Sequence, residues 1–421
     1  MPVKLKKIFE TPNKENYFFG YYDVPQLSKD NQHLITVNIN DIYNIPNAKK
    51  KYEISYFDIK LNIKVVIGYT KTLNFQQGCR AQWLGPDHNR YIIYNDVENE
   101  KYVSRIFDII KKTTSTVELP IYSVSKNGRF FLSLSFERLY WCRRGYSYDA
   151  IIDENKNKLI VPDEYVKIYD FETNKQKILF TIKDLIKIEK NTNMDNATHY
   201  VEHLMFSPCS KKFTFLHRYK IKDGGIFSRL MYYDIEKKTI NIITNSGRMS
   251  HFNFLNKDKL IFYGSVGNIV TNIRKYQNLQ KFFKYVLKVY KFFIKDNNII
   301  AKKLTNDGYY YYNFINKNFM KIKNKKLNAE DGHPTCNEKI GMDFITDNYS
   351  DYDNNHKPSL YYYSNNQNSM HELHKFSSIS ELDNSPLRCD LHPRISYDGN
   401  FISVDTFKDG FRKSFVFRIV Y

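Results

Sequence analysis

Paired cysteine motifs are missing from this chain of 421 residues: its five cysteines, Cys79, Cys142, Cys209, Cys336 and Cys389, are odd in number and scattered, with no Cys-x-x-Cys among them. Neither a disulfide framework nor a cysteine-built zinc site is therefore signalled. Nor is there an uninterrupted apolar run of about 18 residues, the length that a membrane-crossing helix requires. The first ten residues, Met1 to Glu10, are basic but lead into no apolar segment with a small-residue cleavage site, so cytoplasmic residence is expected. Gly-x-Gly-x-x-Gly, the Walker loop and Gly-x-Ser-x-Gly are absent too, so no nucleotide cofactor and no serine-hydrolase elbow is expected. Alanine is scarce.

What the chain does have is 35 tyrosines and 31 phenylalanines among abundant Ile and Val, an inventory suited to strands. Its formal net charge is +19, and such a field attracts polyanions. Nucleic acid is not the expected partner, because the Lys, Asn, Ile and Tyr bias is what AT-rich coding produces and no helix-turn-helix, zinc finger or RNA-binding motif accompanies it. An anionic sugar polymer or a membrane surface would feel the same attraction.

A repeated histidine is the most informative pattern. In His203 to Ser207, His333 to Asn337 and His392 to Ser396, a histidine precedes a small polar turn residue by four positions, and His251-Phe252-Asn253-Phe254 repeats the first half. The last unit reads as strand His392 to Ser396, turn Tyr397 to Asn400, strand Phe401 to Thr406, turn Lys408-Asp409-Gly410 and strand Ser414 to Val420, with Asp-Gly punctuation typical of hairpins. Similar units begin near Tyr22, Gln82, Ile121, His203, His251 and His333, making seven. Seven meanders predict an all-β, seven-bladed β-propeller occupying residues 1–421 as one domain.

Two insertions interrupt the rhythm, at about 138–198 and 268–328. In the second, Lys281, Lys284, Lys288, Lys291 and Lys295 recur at three- and four-residue intervals opposite an apolar side, which predicts an amphipathic helix over 279–295. Such a helix packs on its own propeller, or meets an anionic membrane or a partner groove. The inner face of the membrane is thus an alternative location.

In a propeller the first strand of each blade lies nearest the axis, so one mouth should collect the histidines. On that reasoning His203 is expected beside His217-Arg218, His333 beside Asp347, His392 beside Asp405, and Gln82 beside Asn95-Asp96. Imidazole is the commonest metal ligand and the physiological acid/base group; Asp390, two residues before His392, adds a carboxylate, a mixture that suits manganese, zinc or iron. His217 and Arg218 place a base beside a cation, although strand neighbours point to opposite faces. Tyr22 supplies a phenol. Arg80, Gln82, Arg138, Arg143 and Arg388, with His203, are candidates for gripping a carboxylate- or sulfate-bearing ligand, which guanidinium does bidentately.

Gly20-Tyr21-Tyr22-Asp23, Gln77 to Leu84, Phe215 to Arg218, Ser250 to Phe252, Gly332 to Thr335 and Arg388 to Arg394 together resemble bacterial propeller proteins related to the oligogalacturonate lyases and, more distantly, the ulvan-type lyases. The resemblance covers nearly the whole chain outside the two insertions. It implies β-elimination on a uronate polymer, with manganese at His333 and His392 and with His251 or His217 as the base. One departure stands out: where those enzymes place two closely spaced histidines before the last turn, this chain has Asp390 and His392. The expected activity is that of a polysaccharide lyase on an acidic, uronate-containing glycan, assisted by metal or arginine. The alternative is a non-catalytic carbohydrate-binding or scaffold protein of surface-polysaccharide synthesis, peripheral to the membrane.

Overall fold

Short alternating apolar runs, each closed by a polar turn, build one sheet after another along the chain. The computed structural model describes residues 3–161, 165–222, 224–267, 306–349, 357–383 and 385–421. Among these, seven antiparallel sheets form, six of four strands and one of three. The protein is a seven-bladed β-propeller.

The turn serines explain the repeat. Ser28, Ser125 and Ser396 each bond an acidic or amide side chain two residues on, and each hydroxyl accepts the backbone N–H five residues on, from His33, Phe130 and Phe401 at 2.9, 2.8 and 3.0 Å. Ser207 takes Lys212 N–H in the same way at 3.3 Å. This closes the hairpin between the first and second strands of a blade, and so sets the depth of the residue four positions earlier, which is His203 in the fourth blade and His392 in the seventh.

At that depth the innermost strand bulges. Glu202 pairs with Leu216 but the next partners are Met205 and Thr214; Met249 pairs with Gly264 and then Phe252 with Phe262. Leu391 accepts Asp405 N–H before Arg394 pairs with Ser403, and Cys79 accepts Asn95 N–H before Gln82 pairs with Ile93. One extra residue on the inner strand each time turns a side chain toward the axis. His203, His392 and Arg80 take left-handed backbone for this, with φ of 57°, 44° and 57°, a conformation rare for residues with a Cβ.

The ring is closed by its own ends. Strand Lys4–Glu10 lies antiparallel to Phe411–Val420, completing the seventh blade from the opposite terminus. Glu10 fastens that strand, accepting from Lys408 and Lys413 at 3.0 Å each. Burial raises the Glu10 carboxyl, but its lysine partners Lys7, Lys408 and Lys413 prevail and lower it from 4.5 to about 2. A depressed carboxylate stabilises above its unfolded value and ceases to as pH falls through the folded one. The melting temperatures of wild type and Glu10→Gln should therefore differ at neutral pH and converge as pH falls toward about 2; a gap independent of pH would exclude this role.

The expected insertions are partly ordinary blade. Within 138–198, strands Tyr165–Asp170 and Lys175–Thr181 are the outer pair of the third blade, so the added segment is the connection from its second to its third strand, carrying the helix Phe136–Cys142. Within 268–328, Asp307–Asn313 and Phe319–Lys321 are the outer strands of the fifth blade. The basic segment 279–295 lies outside the described residues. Among the described residues no helix is long and apolar enough to cross a membrane.

Candidate functional site

Four imidazoles from four blades meet around one phenol. Tyr21 has ring centroids of His392, His203, His333 and His251 at 5.0, 5.1, 6.0 and 6.2 Å. The histidines also touch one another: His251 and His333 are 4.2 Å apart and His333 and His392 4.4 Å. Tyr21 reaches the axis because Gly20, at φ +133°, runs so close to Gln77 that a Cβ would stand 2.6 Å from its backbone. Every ring of the group is buried.

Each histidine has a carboxylate nearby, but only at His333 does the carboxylate outweigh burial. Asp347 holds His333 Nδ1 at 2.9 Å and accepts the backbone N–H of both His333 and His392. Burial disfavours charge on His333, but Asp347, with Asp390 and Asp331 behind it, overrides this and lifts its pKa above the ordinary imidazole value. His251 Nδ1 stands 3.1 Å from Asp331 and 3.0 Å from Ser250 Oγ; burial still pulls its pKa down. His392 and His203 are driven well below the usual value, by burial first; neighbouring positive charge adds to this at His392, while Glu202 only partly offsets it at His203. Neutral imidazoles with a fixed tautomer are what a base or a metal ligand needs.

A second charged group borders His203. Glu202 is fully buried, receives Arg143 at 2.7 Å and is paired with Arg218. Burial alone would raise its carboxyl, yet the two guanidiniums hold it well below the usual carboxylate range. Arg143 also lies 3.5 Å over the Tyr146 ring, and Arg388 bonds Asp390 at 3.0 Å. Both arginines remain about 30 % exposed, at 29 % and 30 %. They form a cationic rim.

The donor set fits a divalent ion. Ligand atoms of His333, Asp390 and His392 all lie within 4.8 Å of one another. His392 Nε2 is buried without a hydrogen-bond partner, 3.9 Å from Asp390 Oδ2. That separation is too long for a hydrogen bond, so the two atoms are not bonded to each other and can turn toward an ion lying between them. With Nδ1 of His333 taken by Asp347, its Nε2 is the remaining ligand atom, the carboxylate–histidine arrangement of metal sites.

No family model matches the chain, and no curated protein sequence matches it. Solved structures do. An oligogalacturonate lyase in complex with manganese matches with a TM-score of 0.62 over 100 % of this chain and 97 % of that one, at 11 % identity. The oligogalacturonate lyase of Vibrio parahaemolyticus gives 0.61 over 99 % and 97 %, at 10 % identity. This chain has the oligogalacturonate-lyase fold. The tricorn protease also matches, at a TM-score of 0.50 and 12 % identity over 97 % of this chain but only 35 % of that one.

On this propeller the anticipated residues divide into those at the centre and those that brace it. His203, His251, His333, Asp390 and His392 are together, with Arg143, Arg218 and Arg388 around them. Tyr22 packs on His251 and His333, but its hydroxyl is occupied by Phe252, donating to the carbonyl at 2.9 Å and accepting the N–H at 3.0 Å. Arg80 is a buried brace: it is bidentate to Asp23 at 2.9 and 3.0 Å and donates to Tyr122 O. Gln82 donates to Arg80 O and Tyr122 O. Arg138 spends its guanidinium on Asp153 and the carbonyls of Asn155, Lys158, Leu159 and His199, tying down the added segment. These three, expected at the ligand, are held within the protein instead.

His217 is likewise elsewhere. Strand Lys212–Lys220 pairs regularly with Ile226–Asp234, so adjacent side chains diverge: Arg218 faces Glu202, while His217 faces His199 at 2.9 Å and Arg229 at 3.3 Å. Of the expected pairings, His333 with Asp347 is present. Asp405 serves Arg394 rather than His392, and Asn95 ties to Ile121 rather than Gln82. Tyr21, Glu202 and Asp331 also stand in the histidine group, although none of them is among the site residues expected from the sequence. Tyr21 sits in a motif already singled out; Glu202 and Asp331 each lie within two residues of a repeat histidine, which was the available signal.

Proposed function

We propose that this protein binds an acidic, uronate-containing oligosaccharide at the histidine mouth and cleaves it by β-elimination. The observation that carries the reading is the convergence of His333, Asp390 and His392 within 4.8 Å, with the neutral His251 ring touching His333.

The hydrogen at C5 of a uronate is barely acidic until the adjoining carboxylate is neutralised. A divalent cation held by His333, Asp390 and His392 would supply that positive charge. His251, its Nδ1 directed to Asp331, offers Nε2 to accept the C5 proton. As that proton leaves, the C4–O bond breaks, a C4=C5 double bond forms and the departing oxygen takes up a proton. Tyr21 is the donor of that proton, since burial raises its pKa well above 10 and keeps it protonated, and its hydroxyl, 3.5 Å from His203 Nε2, is not engaged by backbone as that of Tyr22 is. Arg143 and Arg388 on the rim suit the carboxylates of the bound sugar.

Incubating the protein with uronate oligomers and manganese should produce the ultraviolet absorbance of a 4,5-unsaturated uronate. His251→Ala should lower the rate by about 10²–10⁴-fold, the usual worth of a general base. Silence across galacturonate, glucuronate and mannuronate oligomers with several divalent ions would favour the binding or scaffold reading, which the burial of all four rings supports.

A further inference from the structure

Trp141 is the more telling of the two tryptophans, because it is large, apolar and 42 % exposed while Trp83 is 1 % exposed. It lies in the last turn of the helix Phe136–Cys142 on the added segment of the third blade. Beside it lies a cavity of about 330 Å³ between that segment and the fourth blade, lined by Trp141, Asn196, Thr198, Tyr200, Lys220 and Lys222. This is within the size range of small-molecule sites. Lys156 stands 5.8 Å over the Trp141 ring, and all three lysines are exposed.

The cavity and the histidine group border the same inner strand of the fourth blade. Strand side chains alternate, so Thr198, Tyr200 and Glu202 share one face of strand Thr198–Phe206, and Glu202 adjoins His203 and Arg143. Thr198 to Glu202 spans about 13 Å at roughly 3.3 Å per residue, longer than one pyranose ring. Arg143, two residues beyond Trp141, reaches Glu202 itself. One segment thus contributes a cation to the mouth and an aromatic platform to the cavity.

We propose that this cavity is a second carbohydrate subsite, taking a uronate unit of the same oligosaccharide at a distance from the reacting bond. A pyranose presents C–H groups on its flat face, which pack on an indole; its carboxylate meets Lys220, Lys222 and Lys156, and its hydroxyls meet Asn196 and Thr198. The inference rests on the acidic-oligosaccharide reading and adds chain-length selection to it.

Calorimetry with galacturonate oligomers of increasing length, run with manganese present and with His251→Ala in every protein to stop turnover, tests it. The longer oligomers should bind Trp141→Ala about tenfold more weakly than the His251→Ala parent, as for truncation of an aromatic anchor, and the Lys220→Gln/Lys222→Gln double variant similarly. The dimer should bind all three proteins equally. Long oligomers should also quench the fluorescence of Trp141 in the parent, since Trp83 is enclosed with its indole N–H given to Gln26 O. An equal loss at every length, or no loss, overturns the subsite alone; absence of binding of any uronate oligomer to the parent removes the reading beneath it as well.

Discussion

Manganese should be lost from the protein when His392 is replaced by alanine, with the fold retained. His392 Nε2 has no hydrogen-bond partner, so its removal orphans no group bonded to that atom, while the candidate ion loses one of three side-chain ligands. Asp347→Asn is the more informative companion. Asp347 receives three N–H groups, from His333 Nδ1 and from the backbones of His333 and His392, and so orients two ligands from two blades without lying in the ligand set. An amide has one acceptor oxygen where the carboxylate has two, and loss of such an orienting carboxylate costs about 10–100-fold in metal affinity. The His392→Ala loss should be larger still. Titration of the apo protein with manganese, followed by electron paramagnetic resonance, reads both; unchanged affinity in His392→Ala would remove the site.

The largest loss of stability is expected from Asp405→Ala. One oxygen of this buried carboxylate accepts the backbone N–H groups of Phe19 and Gly20 at 3.1 and 3.2 Å and Nη1–H of Arg394 at 3.2 Å, with Arg394 Nη2 in ion-pair contact at 2.9 Å, while the other takes Ser414 Oγ at 2.7 Å. It joins the seventh blade to the first where the ring closes. Removing it leaves a guanidinium buried without a counter-charge, which costs about 3–5 kcal/mol, with two backbone donors also orphaned. Urea unfolding measures the loss. Replacing the pair together, Arg394→Met with Asp405→Leu, should recover much of the Arg394 contribution, because the penalty belongs mainly to the unpaired charge. A deficit below about 0.5 kcal/mol for Asp405→Ala, the range of ordinary surface changes, would show that the first and seventh blades are held by other contacts.

Why Asp405 was expected beside His392 is instructive. Strand order places the two at the same end of the blade, and Asp405 N–H does bond Leu391 O. The bulge at 391–394 then rotates the histidine toward the axis and leaves Asp405 facing Arg394 and the neighbouring blade. A one-residue bulge has no compositional signature when it is made by histidine or arginine instead of glycine, so the partner could not be read. Arg80, Gln82 and Arg138 show the same limit in another form. An arginine destined for a sugar carboxylate and one destined for Asp23 or for carbonyls 17 to 61 residues away look alike in a sequence. Tyr21 and Tyr22 differ only in direction, and that direction comes from the close passage of Gly20 over Gln77.

The depth of His203 and of His392 was local information. It follows from the four-residue spacing to a turn serine whose side chain closes the hairpin, and the seven-fold recurrence of such hairpins suits a ring, which leaves only short, protected strand edges. The partners of the charged groups were not local. They are set by bulges that turn side chains across blade boundaries and by burial, which decides by desolvation whether an imidazole is neutral and whether a guanidinium is available to a ligand or held inside. Repeats therefore specified the propeller and brought the imidazoles to one end of it; only packing between blades determined which of the surrounding residues face that opening and which brace it.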